Sequence, residues 1–135
     1  MPHFTITNPV SGGSHDISYT TLGDSHSANK IIFVMGLLTD GAAWKYQADH
    51  FAEKGYHVVF YDNRGIGHST YPSNERCTTK RMAYDAVALV DHLQWSTFHL
   101  VGVSMGYIIQ KVIDMVISQS VTNIHRQCCL YITVV

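Results

Sequence analysis

A serine between two glycines, placed directly after an apolar run, is the feature that most constrains the fold of this chain. The segment Gly102-Val103-Ser104-Met105-Gly106 follows the mainly apolar run 98–101 and precedes a helix-compatible stretch, 107–118. A sharp turn from a strand into a helix strains the serine backbone, and glycines two residues before and after it leave room for neighbouring backbone. The pattern therefore predicts a nucleophile elbow, a turn at which the Ser104 hydroxyl stands clear of a sheet.

Two earlier segments repeat the order of strand, turn and helix. Short apolar runs at 31–35 and 58–61 do not alternate with polar residues, as expected for parallel strands covered on both faces. The predicted helices and the third strand are 42–54, 81–95 and 98–103. Three such units predict an α/β fold with a mostly parallel sheet, helices on both faces and three layers. Ligands bind such sheets at the carboxyl ends of the strands, where Ser104 falls.

The first helix and an early strand complete the expected framework. Trp44 and Tyr46 are expected to pack the first helix onto the sheet. The stretch 15–21 alternates well enough to predict one more strand.

Composition excludes several classes of protein. The 135 residues are 46% hydrophobic and 14% charged, which favours a buried core over disorder. Nine Lys and Arg against ten Asp and Glu give a net charge of −1, so nucleic acid is not an expected partner. No run approaches the ~18 apolar residues of a membrane span, and the start shows no basic segment before an apolar one. We expect no membrane span and a cytoplasmic location.

No cofactor or metal site is expected. The three cysteines lack CxxC spacing and the nine histidines lack HxxxH spacing, so neither a disulfide framework nor a zinc site is indicated. Gly65 and Gly67 do not begin a dinucleotide site, because Thr70 stands where the third glycine would be.

A second motif follows the predicted strand 58–61. The segment Asp62-Asn63-Arg64-Gly65-Ile66-Gly67-His68-Ser69 has the form Asp-x-Arg-Gly-x-Gly-x-Ser. With the serine motif, it resembles the α/β-hydrolase superfamily, and its serine esterases in particular, over roughly 17–110, the amino-terminal half of a typical member. The resemblance implies that Ser104 is the nucleophile that hydrolyses an ester, amide or carbon–carbon bond of a small acyl substrate through an acyl-serine, without a cofactor. Asp62 and Arg64 are expected to hold their turn together through hydrogen bonds.

The resemblance also implies an oxyanion hole. The segment Met35-Gly36-Leu37-Leu38 stands where the superfamily has a His-Gly-x loop, with methionine in place of the usual histidine. Because backbone N–H groups do the binding, Leu37 and Met105 are the implied donors, with Gly102 and Gly106 as the elbow glycines. An ordinary strand-ending turn at 35–38 is the alternative. Tyr107 replaces a glycine of many relatives and is expected to crowd the helix against its strand.

A base and an acid for Ser104 are harder to find. A serine needs a base, and that base needs an acid to orient it. After Ser104 the only acidic residue is Asp114 and the only histidine is His125. Asp114 falls about 15 Å along the same predicted helix, and that helix would carry His125 to the opposite edge of the sheet. Neither is expected to complete a triad, and His68, in a glycine turn, is expected to face solvent.

One partial domain is expected over 1–135, with a family-like core at 15–110 and a divergent or truncated tail at 111–135. The tail contains either one more strand, at 128–135, or unrelated sequence. A final strand would leave an unpaired edge through which chains could associate. Two functions therefore stay open. One is a serine hydrolase with little or no activity on its own, and the other is a non-catalytic module that binds itself or another chain through its sheet edge.

Overall fold

A single mixed sheet with helices on both faces accounts for the residues that the computed structural model describes, which are 2–8, 10–72, 74–119 and 127–134. Its six strands are β1 (His3–Thr7), β2 (Ser14–Leu22), β3 (Lys30–Val34), β4 (His57–Tyr61), β5 (Thr97–Val103) and β6 (Gln127–Val134). The helices are α1 (Lys45–Glu53), α2 (Thr79–His92) and α3 (Met105–Gln119), with a short 3₁₀ turn at Gly41–Trp44 before α1.

The strand order is β1-β2-β4-β3-β5-β6. Strands β3, β4, β5 and β6 are parallel, whereas β1 and β2 form an antiparallel hairpin that joins the sheet beside β4. Val34 pairs with Gly102, so β3 and β5 end at the same level. The predicted mostly parallel sheet is confirmed, and its carboxyl edge brings the loop after β3 next to the turn after β5.

Both faces of the sheet are buried, which explains the apolar runs. Along β3, Ile31 and Phe33 face α1, whereas Ile32 and Val34 face α2 and α3. The cluster under α1 also contains Trp44, Ala48, Val58, Phe60 and Val101. The cluster on the opposite face includes Met82, Ala83, Ala86, Val87, Leu89, Val90, Ile109 and Ile113 from the two helices.

Strand β1 was not predicted from the sequence. It lies at the sheet edge, where only alternate side chains are partly buried and the others face solvent. Phe4 stacks on His92 at the end of α2, with 4.8 Å between ring centroids. Phe4 and Ile6 alternate with polar residues in phase with this burial, a signal that could have identified β1, although it extends over only five residues.

Two expectations about the helices are corrected. Helix α2 ends at His92 rather than at Trp95, because Gln94 adopts a left-handed φ of 59° that ends the helix. Trp44 is buried, but Tyr46 is 85% exposed and does not pack α1 onto the sheet. Side chains two positions apart point about 200° away from each other around a helix, so these two cannot share one face.

Strand β6 pairs in parallel with β5, which corresponds to the alternative in which the tail forms one more strand. It forms one edge of the sheet that the structure describes. Association of chains through this edge stays a prediction. None of the helices in the described ranges is long and apolar enough to cross a membrane.

Candidate active site

Ser104 occupies the turn between β5 and α3. It is the one residue between the end of the strand at Val103 and the start of the helix at Met105. Its φ is +55°, in the left-handed region, and its side chain is exposed. The left-handed conformation costs a residue with a β-carbon about 1–2 kcal/mol, so the surrounding structure must hold it. The Tyr107 N–H donates to the Ser104 carbonyl at 3.0 Å and closes the turn.

The two elbow glycines allow three backbone segments to approach one another. A β-carbon added at Gly102 would lie 2.6 Å from the Gly106 carbonyl oxygen. One added at Gly106 would lie 2.5 Å from the Val34 carbonyl oxygen. Any larger residue at either position would therefore push β5, α3 and β3 apart.

The loop after β3 lies against the elbow. A β-carbon added at Gly36 would be 3.2 Å from the β-carbon of Ser104, so Leu37 follows directly from the point of contact. Within the described part of the chain, the N–H groups of Leu37 and Met105 have no hydrogen-bond partner. Met105 is the first residue of α3, where backbone N–H groups are unpaired and the helix dipole favours negative charge. Two backbone donors without a partner in the described residues thus lie at the start of α3 and in the loop that contacts Ser104.

Asp62 organises the turn after β4. Its Oδ1 accepts from the Gly41 N–H at 2.8 Å, and its Oδ2 accepts from the His68 N–H at 2.9 Å. Its backbone carbonyl accepts from the Ser69 hydroxyl at 2.7 Å. The carboxylate is buried, and the contacts agree with the expectation that it holds the turn together.

Arg64 fastens the same turn to α2. Its Nε and Nη2 donate to the two carboxylate oxygens of Asp85 at 2.6 and 2.7 Å, and both side chains are buried. Burial alone would lower the pKa of Arg64, but the hydrogen bonds and charge of Asp85 outweigh it and raise the pKa above its ordinary value. Two further residues complete the cluster. His15 Nε2 lies 2.9 Å from Asp85 Oδ1, and Glu75 Oε2 lies 3.4 Å from Arg64 Nη1.

The structure brings no base to Ser104 among the residues that it describes, where the hydroxyl has no hydrogen-bond partner. His68 has a side chain that is 72% exposed and lies 3.7 Å from Asp62, as expected for a solvent-facing residue. The backbone of Asp114 lies in α3, its side chain is not described, and His125 lies outside the described residues. No group of three or more potential metal ligands occurs in the described ranges.

Near the elbow, one residue differs from expectation and another was not predicted to have a role. Tyr107 does not crowd the helix, because its ring lies on the outer surface with the Lys111 ammonium 5.3 Å from the ring centroid. Asn63 was not singled out from the sequence, yet its side chain donates to the Met35 carbonyl at 3.0 Å. Nothing local in the sequence distinguishes it from any other asparagine in a turn.

Comparison with known proteins identifies the fold family. The family model for the α/β-hydrolase fold matches residues 29–106, more than half of the chain. The protein therefore belongs to the α/β-hydrolase fold family.

The proteins that this chain resembles in sequence are named for different enzymatic activities. It is 32% identical over 106 residues to 3-oxoadipate enol-lactonase 2 of Acinetobacter baylyi, covering 78% of this chain and 39% of that protein. The non-heme chloroperoxidase of Burkholderia pyrrocinia is also 32% identical over 106 residues, covering 78% of this chain and 36% of that protein. The chain thus spans about two-fifths of the length of these relatives.

A solved carboxylesterase structure from Nitrososphaera gargenis shows the same fold. It superposes with a TM-score of 0.81 over 98% of this chain and 44% of that chain. The identity is 19%, so the likeness concerns the fold alone.

Proposed function

We propose that this chain carries the nucleophile and the oxyanion donors of a serine hydrolase. Ser104 Oγ attacks the carbonyl carbon of a small acyl substrate, and the N–H groups of Leu37 and Met105 bind the negative oxygen that develops. The observation that carries the proposal is the left-handed, exposed Ser104 in contact with the loop that leads to Leu37, where the N–H groups of Leu37 and Met105 have no partner among the described residues. Such donors act most strongly on charge that forms in the transition state.

The reaction proceeds in two steps. In the first, the Oγ–carbon bond forms, the bond to the leaving alcohol or amine breaks, and the hydroxyl proton passes to the leaving group. In the second, water attacks the acyl carbon, releases the carboxylic acid and restores the hydroxyl. No metal or organic cofactor enters either step of this proposal.

Acylation is expected to be slow and turnover slower, because Ser104 has no base among the described residues. An oxyanion hole and substrate binding alone can retain about 10³–10⁴-fold catalysis over water when triad residues are missing. The relatives described above include a lactonase and a chloroperoxidase, and the structural neighbour is a carboxylesterase. The proposal therefore extends only to the acyl group and the serine chemistry.

Labelling with a fluorophosphonate tests the proposal directly. The intact mass of the folded chain is expected to increase by one adduct, and the adduct is expected to be absent from Ser104→Ala. Ser96→Ala, which alters an exposed serine in the turn before β5, is the matched control and should label like the wild type. A folded wild-type chain that takes up no reagent, or a Ser104→Ala variant that labels equally, would contradict the proposed nucleophile.

A further inference from the structure

Asn63 connects the turn after β4 to the loop after β3. Its side chain is 1% exposed, and its Nδ2 donates to the Met35 carbonyl at 3.0 Å, across 28 positions of sequence. Met35 directly follows the last residue of β3, and Leu37, a proposed oxyanion donor, is two residues further on. The amide of Asn63 thus acts on the backbone that leads to this donor.

The peptide between Met35 and Gly36 is held from two sides. On one side, the Met35 carbonyl accepts from Asn63. On the other, a β-carbon added at Gly106 would lie 3.2 Å from the same carbonyl oxygen, and one added at Gly36 would lie 3.1 Å from the Val103 carbonyl oxygen. This peptide is therefore packed between Asn63 and the elbow.

The conformational freedom of glycine makes this contact matter. Only φ and ψ of Gly36 separate the held peptide from the peptide that carries the Leu37 N–H. Glycine has access to more backbone conformations than any other residue, so an unsupported loop could rotate this N–H away from Ser104. With the Met35 carbonyl fixed, the Leu37 N–H has far fewer orientations.

The amide oxygen of Asn63 lacks the partner that its amide nitrogen has. Its Oδ1 is buried and has no hydrogen-bond partner in the described part of the chain. A buried acceptor without a partner destabilises the folded state, and an apolar side chain of similar shape would avoid that cost. Asn63 is present despite this energetic cost, and its amide N–H group forms the hydrogen bond to the Met35 carbonyl.

We propose that Asn63 is a positioning residue of the serine site. Its amide fixes the Met35–Gly36 peptide so that the Leu37 N–H faces the oxyanion formed at Ser104. The inference rests on the proposed function, and Asn63 itself touches no reacting atom.

Two nearly isosteric variants test the donor. Asn63→Leu removes both polar atoms. Asn63→Asp places two acceptors near the Met35 carbonyl when the new carboxyl group is ionised, but restores an O–H donor when it is protonated. Asn29→Asp introduces the same charge at an exposed turn and serves as the control.

The first readout is the rate of fluorophosphonate labelling, expressed at each pH as a ratio to wild type. Asn63→Leu is expected to label about 100-fold more slowly at every pH, since that is the usual effect of losing one oxyanion donor. Asn63→Asp is expected to be slow at neutral pH and to recover as the introduced carboxyl group takes up its proton. Asn29→Asp should keep a ratio near one. A general loss of structure would not produce recovery in acid.

The second readout does not depend on activity. The ¹³C shift of the Met35 carbonyl reports its hydrogen bond, and it should move in Asn63→Leu and follow pH in Asn63→Asp. If this shift is the same in wild type and Asn63→Leu, or if both variants label at the wild-type rate, the inference is wrong. If the folded wild type does not label while the carbonyl shift responds, the proposed function fails and the contact between Asn63 and Met35 stands.

Discussion

Backbone strain at the residue scale is concentrated where two loops meet. Among the described residues other than glycine, three have a positive φ, namely Leu38, Gln94 and Ser104. Gln94 follows α2, where a left-handed residue commonly ends a helix. Leu38 and Ser104 instead lie in the loop after β3 and in the elbow, which contact each other through Gly36. Strain of this kind persists where the surrounding packing holds it, often at functional sites.

The buried ion cluster is the second residue-scale feature. Arg64 satisfies both oxygens of Asp85 and also reaches Glu75 at 3.4 Å, with all three side chains buried. Buried charges are costly unless paired, so removing the Arg64 guanidinium leaves Asp85 without its main partner, whereas Glu75 keeps Ser11, Asn8 and Arg81. The cluster therefore holds the Asp-x-Arg-Gly turn against α2.

We expect Arg64→Met to lower the free energy of unfolding by about 3–5 kcal/mol, because it leaves the buried carboxylate of Asp85 without its main partner. Urea denaturation measures the change. Arg76→Met, at an exposed position before α2, should stay within about 0.5 kcal/mol of wild type. Adding Asp85→Leu to Arg64→Met should recover part of the loss, since the stranded charge is removed with its partner. A loss similar to that of the control would mean that the cluster is not a structural anchor.

At the scale of elements, the 3₁₀ turn and α1 together cover one face of the sheet. Asp40 caps the turn by accepting from the Ala42 N–H at 3.1 Å, and Trp44 at its end packs against Phe33 with 4.8 Å between ring centroids and the rings tilted by 34°. Ala48, one helical turn further on, is fully buried on the same side. The attachment of α1 thus depends on Trp44 far more than on the exposed Tyr46.

This contrast gives a matched pair of variants. Trp44→Ala is expected to destabilise the fold by about 3–5 kcal/mol, as for other large-to-small changes in a core. Tyr46→Ala removes an aromatic residue two positions away, and its effect should remain within about 0.5 kcal/mol because the side chain faces solvent. Thermal unfolding of both variants decides the point. Equal losses would show that α1 is held through its outer face as well.

For the molecule as a whole, the sequence predicts what depends on local pattern. Strands β3, β4 and β5 follow from apolar runs, because both faces of the sheet are covered. The strained turn at Ser104 follows from the spacing of Gly102 and Gly106, whose β-carbons would meet backbone atoms.

Contacts between distant segments could not be predicted in this way. Asn63 meets Met35 across 28 positions and Arg64 meets Asp85 across 21, and neither pair leaves a periodic signal. The edge strand β1 differs from these contacts, because Phe4 and Ile6 alternate with polar residues, but this periodic signal covers only five residues.

Glu75 contacts three separate segments, which are the turn between β1 and β2, the turn after β4, and α2. Its Oε1 accepts from Asn8 at 3.1 Å and from Ser11 at 2.8 Å, both in the turn between β1 and β2. Its Oε2 lies 3.4 Å from Arg64 and 3.3 Å from Arg81 of α2. The Ser11 hydrogen bond above all, with Arg81, Asn8 and Arg64, holds the pKa of Glu75 below its ordinary value even though burial opposes this.

The lowered pKa predicts how stability depends on pH. Because the unfolded chain binds a proton at this carboxyl group more readily than the folded protein does, stability rises with pH across this titration. The contribution of Glu75 is therefore complete above the ordinary glutamate pKa of about 4.3 and is lost as pH falls through the lower pKa of the folded state. When the free energy of unfolding is plotted against pH, the curve for Glu75→Gln should lie below wild type by a constant amount above about pH 5. The two curves should converge in acid. Glu53→Gln, on the exposed side of α1, is the matched control for the same change of side chain. A Glu75→Gln curve that stays parallel in acid would show that the hairpin, α2 and the motif turn are held together without this carboxylate.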